Sequence, residues 1–428
     1  MDYAELRLQG HPRLEMLALP VLGEIRDRLD QPRLAVRSQQ HFSVPQPPAH
    51  EASNQITATT TSADIRVFGN VLRVGPKEAI LSIAQAAKVA KDGDIVEIQA
   101  GVYHADVALW NQKKLTIRGI GGTARIFADG KSAEGKAIWV IRNGDFDIEN
   151  IDFIGARASD KNGAGIRFEN GRLHLKNCLF FDNQTGFLAG GEGGVVEIEN
   201  SEFAYNGEGD GQSHNLYVGT IQSLKITGSY FHHANVGHLV KSRAKHNYIA
   251  YNRISDEDGG KASYEIDFPN GGNATVIGNI IQQNRNTENS TIIAYGEEGY
   301  KWPENRLSLA SNTIVNDHPY GGAFLRVSPG AQSVVSTNNL FIGVGKLHTP
   351  PDILHVTNDI RAGWEIFALA ARQDYRLNQD GQKLEYKSQA LSFGGTSLTP
   401  KYEYASNRKT RPLSREPIFP GALQTTEN

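Results

Sequence analysis

IENIDF at 148–153, LKNCLF at 175–180, IENSEF at 198–203 and ITGSYF at 226–231 write one pattern four times. A short apolar-polar alternation runs into Asn or Gly. Looser copies continue it: IAYNRI at 249–254, VIGNII at 276–281, LASNTI at 309–314 and STNNLF at 336–341. The anchors are Asn150, Asn177, Asn200, Gly228, Tyr251, Gly278, Ser311 and Asn338, spaced by 27, 23, 28, 23, 27, 33 and 27 residues. A period of that size marks a solenoid, because one copy cannot bury its apolar side alone and must stack on the next.

Inside each copy the apolar residues fall on alternate positions, as in Leu173, Leu175, Cys178 and Phe180 or Leu224, Ile226 and Phe231. That is strand periodicity interrupted by turns, without the i, i+3, i+4 stripes of a helical repeat. Asn and Gly suit the corners because both tolerate left-handed backbone angles. A β-propeller or a sandwich of short strands is the alternative, but a blade needs about 40 residues. The sequence therefore predicts an all-β chain folded as a single-stranded right-handed parallel β-helix, with 44 glycines for its many corners.

The 428-residue chain carries a net charge of −3, which gives no electrostatic footprint for nucleic acid. An anionic partner must then be held by a local basic cluster. The single cysteine, Cys178, stands at an apolar position and reads as core, which excludes a disulfide framework. No apolar run reaches the ~20 residues of a transmembrane helix. The apolar stretch from Met16 to Ile25 is interrupted by Pro20 and runs into RDRLD, so it does not read as a signal peptide.

Residues 1–62 read as an extension and linker, rich in Pro, Ser and Thr from Ser43 to Ser62. The parallel β-helix and its cap are assigned to 63–347. Its capping helix is expected to open at Pro76, to carry Ile80, Leu81, Ile83, Ala84, Ala87 and Val89, and to stop at Gly93. An open rod end needs such a cover against edge pairing. Residues 348–428 lose the repeat and are expected to wrap back along the rod as an irregular segment.

GDIVEIQAGVYHADVAL at 93–109, followed by LTIRGIGG at 115–122, resembles the first coil of pectate-lyase-like β-helix proteins. The resemblance spans roughly residues 74 to 345 and its motifs are architectural. It implies this fold and a secreted or periplasmic protein acting on polysaccharide, although one fold hosts many activities.

Chemistry is expected where successive coils present polar groups outward on one sheet. HNLYV at 214–218, HLVKS at 238–242 and YEIDF at 264–268 align on Leu216, Val240 and Ile266. With those three inward, alternation sends Asn215, Tyr217, Lys241, Glu265 and Asp267 outward. Coils about 4.8 Å apart then bring Tyr217, Lys241 and Asp267 into one column. Arg243 and Lys245 continue the parity, Arg326 takes the matching place two coils beyond Asp267, and His214 and Tyr264 flank the column.

HLVKSRAKHNYIAYNRI at 238–254 is similar to the strand and turn of the chondroitinase B and alginate lyase group of polysaccharide lyases. Val240, Lys241 and Ser242 match the strand that supplies the lysine base. Pro269 and Asn270 stand where that group has Arg and His, and Asn235, Val236, Gly237 and His238 stand where it has calcium-binding acids. The resemblance implies β-elimination on a uronate-containing, acidic polysaccharide. It makes Lys241 the base; elimination also needs the carboxylate neutralised and the leaving oxygen protonated, tasks for which Arg243 and Lys245, and Tyr217 or His238, are the candidates. His214, Asn215, Tyr264, Glu265, Asp267 and Arg326 would contact substrate. No cofactor is assigned; calcium is compatible with the resemblance but has no matching ligands here.

Two other readings use the same wall. Glu265 and Asp267, two apart on a strand, have backbones roughly 6.6–6.8 Å apart, compatible with the ~6.5–9.5 Å carboxyl separation of an inverting glycoside hydrolase. A non-catalytic binding or assembly module would use Tyr217, Tyr264 and Tyr295 as sugar platforms. GGEGG at 190–194 and NGEGDGQ at 206–212 lack the acidic spacing of a calcium loop or the lysine of a phosphate loop and read as groove walls. His232, His233, His238 and His246 match no metal-ligand spacing, so no metal is assigned.

Overall fold

All eight anchors adopt left-handed backbone, with φ between 50° and 66° in a computed structural model that describes residues 69–386 and 392–426. Each is a corner between two strands. The expected extension and linker at 1–62 lies outside the described residues.

Each coil contributes strands to three parallel faces. The first face collects strands that precede an anchor, such as Gly171–Lys176, Val195–Glu199 and Ser223–Thr227. Strands that follow it, such as Leu179–Phe181, Glu202–Ala204 and Tyr230–His232, form the second. Ile95–His104 and Lys114–Phe127 are long enough to serve both. The third face stacks ten strands, from Ala108–Trp110 to Lys346–His348.

Register keeps like residues in line. Phe153, Phe180, Phe203 and Phe231 are successive partners on the second face, with ring centroids 5.1, 4.6 and 4.6 Å apart. All four are fully buried, each burying area worth roughly 1.5–3 kcal/mol. Cys178 is fully buried too, as expected, and burial pushes its thiol up to about 12.

A polar ladder follows the anchors. Asn252 N–H donates to Asn279 Oδ1 at 2.9 Å, Asn279 N–H to Asn312 Oδ1 at 3.0 Å and Asn312 N–H to Asn339 Oδ1 at 2.9 Å. Each side-chain amide also donates to a main-chain carbonyl, Asn279 to Ile249 and Asn312 to Val276, both at 2.8 Å. The turn's otherwise orphaned groups are satisfied inside the rod, as buried polar groups require.

The ends differ from the sequence reading. The helix, α1, spans only Ile83–Val89; Ser82 is its N-cap, and Asp106 accepts from Ile83 N–H and Ala84 N–H. Pro76 lies outside it, and Leu81 and Val89 are exposed, because the first coil's Asp106 fixes the start of the helix. Ile83, Ala86 and Ala87 join the core of the first coil. At the other end, stacking continues past 347 through Leu354–Thr357 and Ile360–Ala362. TNDI at 357–360 is a ninth corner, with Asn358 at φ 56° and Asp359 Oδ1 accepting from Asn339 N–H. Exposed Val356 weakens its apolar signature.

The following segment turns back along the outside of the second face. Ile366, Phe367, Tyr375, Leu377 and Phe419 pack on Ile280, Val315, Leu340 and Ile342. It reaches as far as Arg408, which donates to Cys178 O at 3.3 Å. No described helix is long and apolar enough to cross a membrane.

Two carboxyl groups are sealed within the rod. Asp256, unexposed, has one oxygen accepting from Ala262 N–H at 2.9 Å and the other unpartnered, and burial pushes it up to about 8. Burial and then the neighbouring Asp256 also hold Glu265 well above the usual carboxylate range. For a raised carboxyl the contribution to stability is complete at acid pH, below the value in the unfolded chain. It is lost as the pH climbs from about 4 to about 8. Asp256→Asn is therefore expected to raise the melting midpoint over wild type near pH 8 and to leave it unchanged near pH 4. Equal midpoints at both pH values would contradict the assignment.

Candidate active site

Third-face register brings distant residues into line. Arg167 pairs with Leu188, Leu188 with Tyr217, Tyr217 with Lys241, Lys241 with Asp267, Asp267 with Ala294, and Ala294 with Arg326. The flanking Ile166, Phe187, Leu216, Val240, Ile266, Ile293 and Leu325 are buried. Pairing thus produces the expected column of Tyr217, Lys241 and Asp267, with Arg326 at its expected place.

An open cavity of about 800 Å³ lies over the N-terminal part of this column. Its wall includes Arg167, His214, Tyr217, Lys241, Arg243, Glu298 and Lys301, together with Gly190, Gly191, Gly211 and Gln212 of the two glycine-rich loops. Four cations face one carboxylate there, in a chain whose overall charge is −3.

Arg243 is the hub. Its Nε donates to Tyr217 Oη at 3.0 Å, one terminal nitrogen donates to Asn270 Oδ1 at 2.6 Å, and the other pairs with Glu298 Oε2 at 2.7 Å. Its carbonyl accepts from Trp302 Nε1 at 3.1 Å. Lys241 Nζ lies 3.1 Å from Glu298 Oε1 and 3.4 Å from Asp267 Oδ2. The Glu298 carboxylate bridges both cations. Burial alone would raise it, but hydrogen bonds from Arg243 and Lys241 outweigh burial and hold it below its usual range.

Beneath the wall, His214 Nδ1 accepts from His238 N–H at 3.0 Å, which leaves the neutral ring's proton on Nε2. Burial, then the positive neighbours His238, Lys241 and Arg243, keep His214 well below its ordinary range. His238 is 6% exposed, with Nδ1 3.2 Å from Asp267 Oδ2; burial lowers it more than Asp267 raises it. It packs behind the wall, tilted against His214 and edge-on to Tyr264, without lining the cavity.

Other expected contacts do not reach the cavity. Asn215 is unexposed and turned inward, its amide donating to Phe203 O and His232 O, because the strand begins only at Leu216 and a corner breaks the alternation. Glu265 precedes Ile266–Phe268 and is likewise sealed inside, so it and Asp267 do not share a face. The hydrolase reading loses its carboxylate pair. Tyr295 is a core residue with no exposed surface for a sugar. Lys245 lies past the corner near Glu304, and neither Tyr264 nor Arg326 lines the cavity.

Residues missed from sequence are Arg167, Glu298, Lys301 and Asn270. Arg167 was readable, since AGIRF at 164–168 places it between inward Ile166 and Phe168. Glu298 was not, because it arrives on the loop after Thr291–Tyr295, 57 residues from Lys241. His232 and His233 touch, their Nδ1 atoms 2.7 Å apart, but His232 lies on the second face and His246 on the first, so the four histidines do not share one site. Among the described residues no three His, Cys, Asp or Glu side chains form a group fit for a metal ion.

A family model described as right handed beta helix region matches residues 164–346, less than half of the chain. No curated protein sequence matches it. Among solved structures, pectate lyase Pel9A is 12% identical with a TM-score of 0.48, covering 77% of this chain and 95% of its own. ORF18 of Geobacillus virus E2 is 14% identical with a TM-score of 0.37, covering 66% and 55%. A mutant of the PL6 family alginate lyase AlyGC is 14% identical with a TM-score of 0.29, covering 77% and 54%. The family match and the stacked faces bear out the right-handed parallel β-helix read from the sequence.

Proposed function

We propose that the chain is a lyase that cleaves an acidic, uronate-containing polysaccharide by β-elimination in the third-face cavity. The observation that carries this reading is the Glu298 carboxylate, held between Arg243 at 2.7 Å and Lys241 at 3.1 Å. The protein's own side chain occupies a seat built for a carboxylate beside a tyrosine and a lysine. Similarity of Val240, Lys241 and Ser242 to the lysine-bearing strand of the chondroitinase B and alginate lyase group supports the same chemistry.

Elimination requires a neutralised carboxylate, a base at C5 and an acid at O4. In this reading the substrate carboxylate displaces Glu298 and is neutralised by Arg243, with Lys301 beside it. With Glu298 displaced, Lys241 first gives its resting proton to solvent; the neutral amine then takes the C5 proton, and the ammonium so formed is held by Asp267. A double bond forms between C4 and C5 as the C4–O4 bond breaks, and Tyr217 gives its proton to the departing oxygen. Arg243 Nε, already donating to Tyr217 Oη, stabilises the phenolate left behind. Solvent returns the proton from Lys241 to Tyr217.

The test is a panel of alginate, pectate and glycosaminoglycans followed by ultraviolet absorbance of unsaturated product. New reducing ends without that absorbance would overturn elimination. Binding with neither would select the non-catalytic module. Removing the resident competitor sharpens the test: Glu298→Gln is expected to lower KM several-fold on an acidic polymer with kcat little changed. An increase in KM would show that Glu298 organises the cations rather than occupying the substrate's place.

A further inference from the structure

We infer that Arg167 forms a second anion-binding subsite, so that the cavity takes a polyanionic oligomer lying along the rod axis and grips acidic groups at both ends. The inference rests on the proposed carboxylate seat at Arg243 and adds the direction, the length and the repeated charge of the ligand.

Pairing fixes the distance. Arg167 stands three rungs from Lys241, through Leu188 and Tyr217, and rungs about 4.8 Å apart place the two backbone positions about 14 Å apart. Both side chains line the same continuous cavity. One pyranose ring cannot span that length, whereas a short oligomer can.

Charge separates the two ends. Lys241 and Arg243 already hold Asp267 and Glu298. Among the described residues, Arg167 has no carboxylate within ion-pairing distance, and its Nε, shut off from solvent, has no hydrogen-bond partner. A guanidinium left without an internal counter-charge, beside an open cavity, calls for an anion from outside. Gly190 lies beside it in the cavity wall. A Cβ there would lie 3.5 Å from a terminal nitrogen of Arg167, an ordinary van der Waals contact, so the Gly190 backbone runs directly beside the guanidinium.

The test is direct binding of oligogalacturonates and oligomannuronates, from disaccharide to octasaccharide, to Lys241→Ala protein, so that the readout does not depend on turnover. Affinity is expected to climb with length until both ends are engaged. In the same background Arg167→Ala should lose about tenfold to a hundredfold in affinity for the long oligomers and nothing for the disaccharide. It should also flatten the salt dependence, while Arg167→Lys recovers most of the loss. Equal affinities for long oligomers with and without Arg167 would overturn the subsite, as would an equal loss for short and long ligands. Length-dependent, Arg167-dependent binding by a wild type that forms no double bond would keep the subsite and discard the lyase. No binding of any acidic oligomer would overturn both.

Discussion

Lys241→Ala is expected to abolish formation of unsaturated product from an acidic polysaccharide, with kcat falling by about a hundredfold to ten-thousandfold, the range of a lost general base. The side chain reaches the cavity from a strand whose neighbours, Val240 and Ser242, are fully buried, so the change leaves the core intact. Polymer binding should persist within several-fold, because Arg243, Lys301 and Arg167 remain. The comparison needs kcat, KM and a melting curve on the same preparation. Turnover within threefold of wild type, with an unchanged melt, removes Lys241 from the chemistry. Loss of turnover with a collapsed melt would instead expose a structural role, and Lys241→Met, which keeps most of the packing volume, separates the two.

The largest effect on stability is expected at the inner ladder, where Asn279→Ala removes several buried hydrogen bonds at once. Asn279 Oδ1 accepts from Asn252 N–H at 2.9 Å and from Asn252 Nδ2 at 3.0 Å, while its own amide serves Ile249 O at 2.8 Å and Asn312 Oδ1 at 3.0 Å. Alanine leaves those partners unsatisfied in a site without solvent. Each orphaned group costs about 1–3 kcal/mol, and a total of about 3–5 kcal/mol is expected after partial relaxation. Asn273→Ala is the control, since its side chain reaches out to Glu304 at 2.8 Å and should cost less than about 1 kcal/mol. Urea denaturation of the two variants beside wild type checks the contrast. Matching midpoints would mean that the ladder adds nothing beyond what water supplies in the unfolded chain.

The repeat itself was legible because stacking makes each coil solve the same packing problem. All eight anchors read from sequence are left-handed corners, even Tyr251 and Ser311, where neither Asn nor Gly marks the turn. The residue after the anchor carried information that went unread. Ser201, Ser229, Asn252, Asn279, Asn312 and Asn339 form one buried file, and the last coil belongs to it through Asp359 although its Val356 is exposed.

Alternation also placed Tyr217, Lys241 and Asp267 in one column, and it failed one residue away. Asn215 and Glu265 share the parity of their neighbours, yet both turn inward because the third-face strands Leu216–Val218 and Ile266–Phe268 are only three residues long. A period of two is a property of extended backbone and ends where the chain bends.

By itself, then, the sequence determined the solenoid, its corners and the column of side chains, because period and alternation are local and every coil repeats them. Only the tertiary structure decided which of those side chains open onto a cavity. Glu298 reaches Lys241 and Arg243 from a loop 57 residues beyond the lysine, while Asp256 and Glu265 are shut inside the rod. Loop paths and the burial of charge depend on what the rest of the chain packs against, and no local pattern records that.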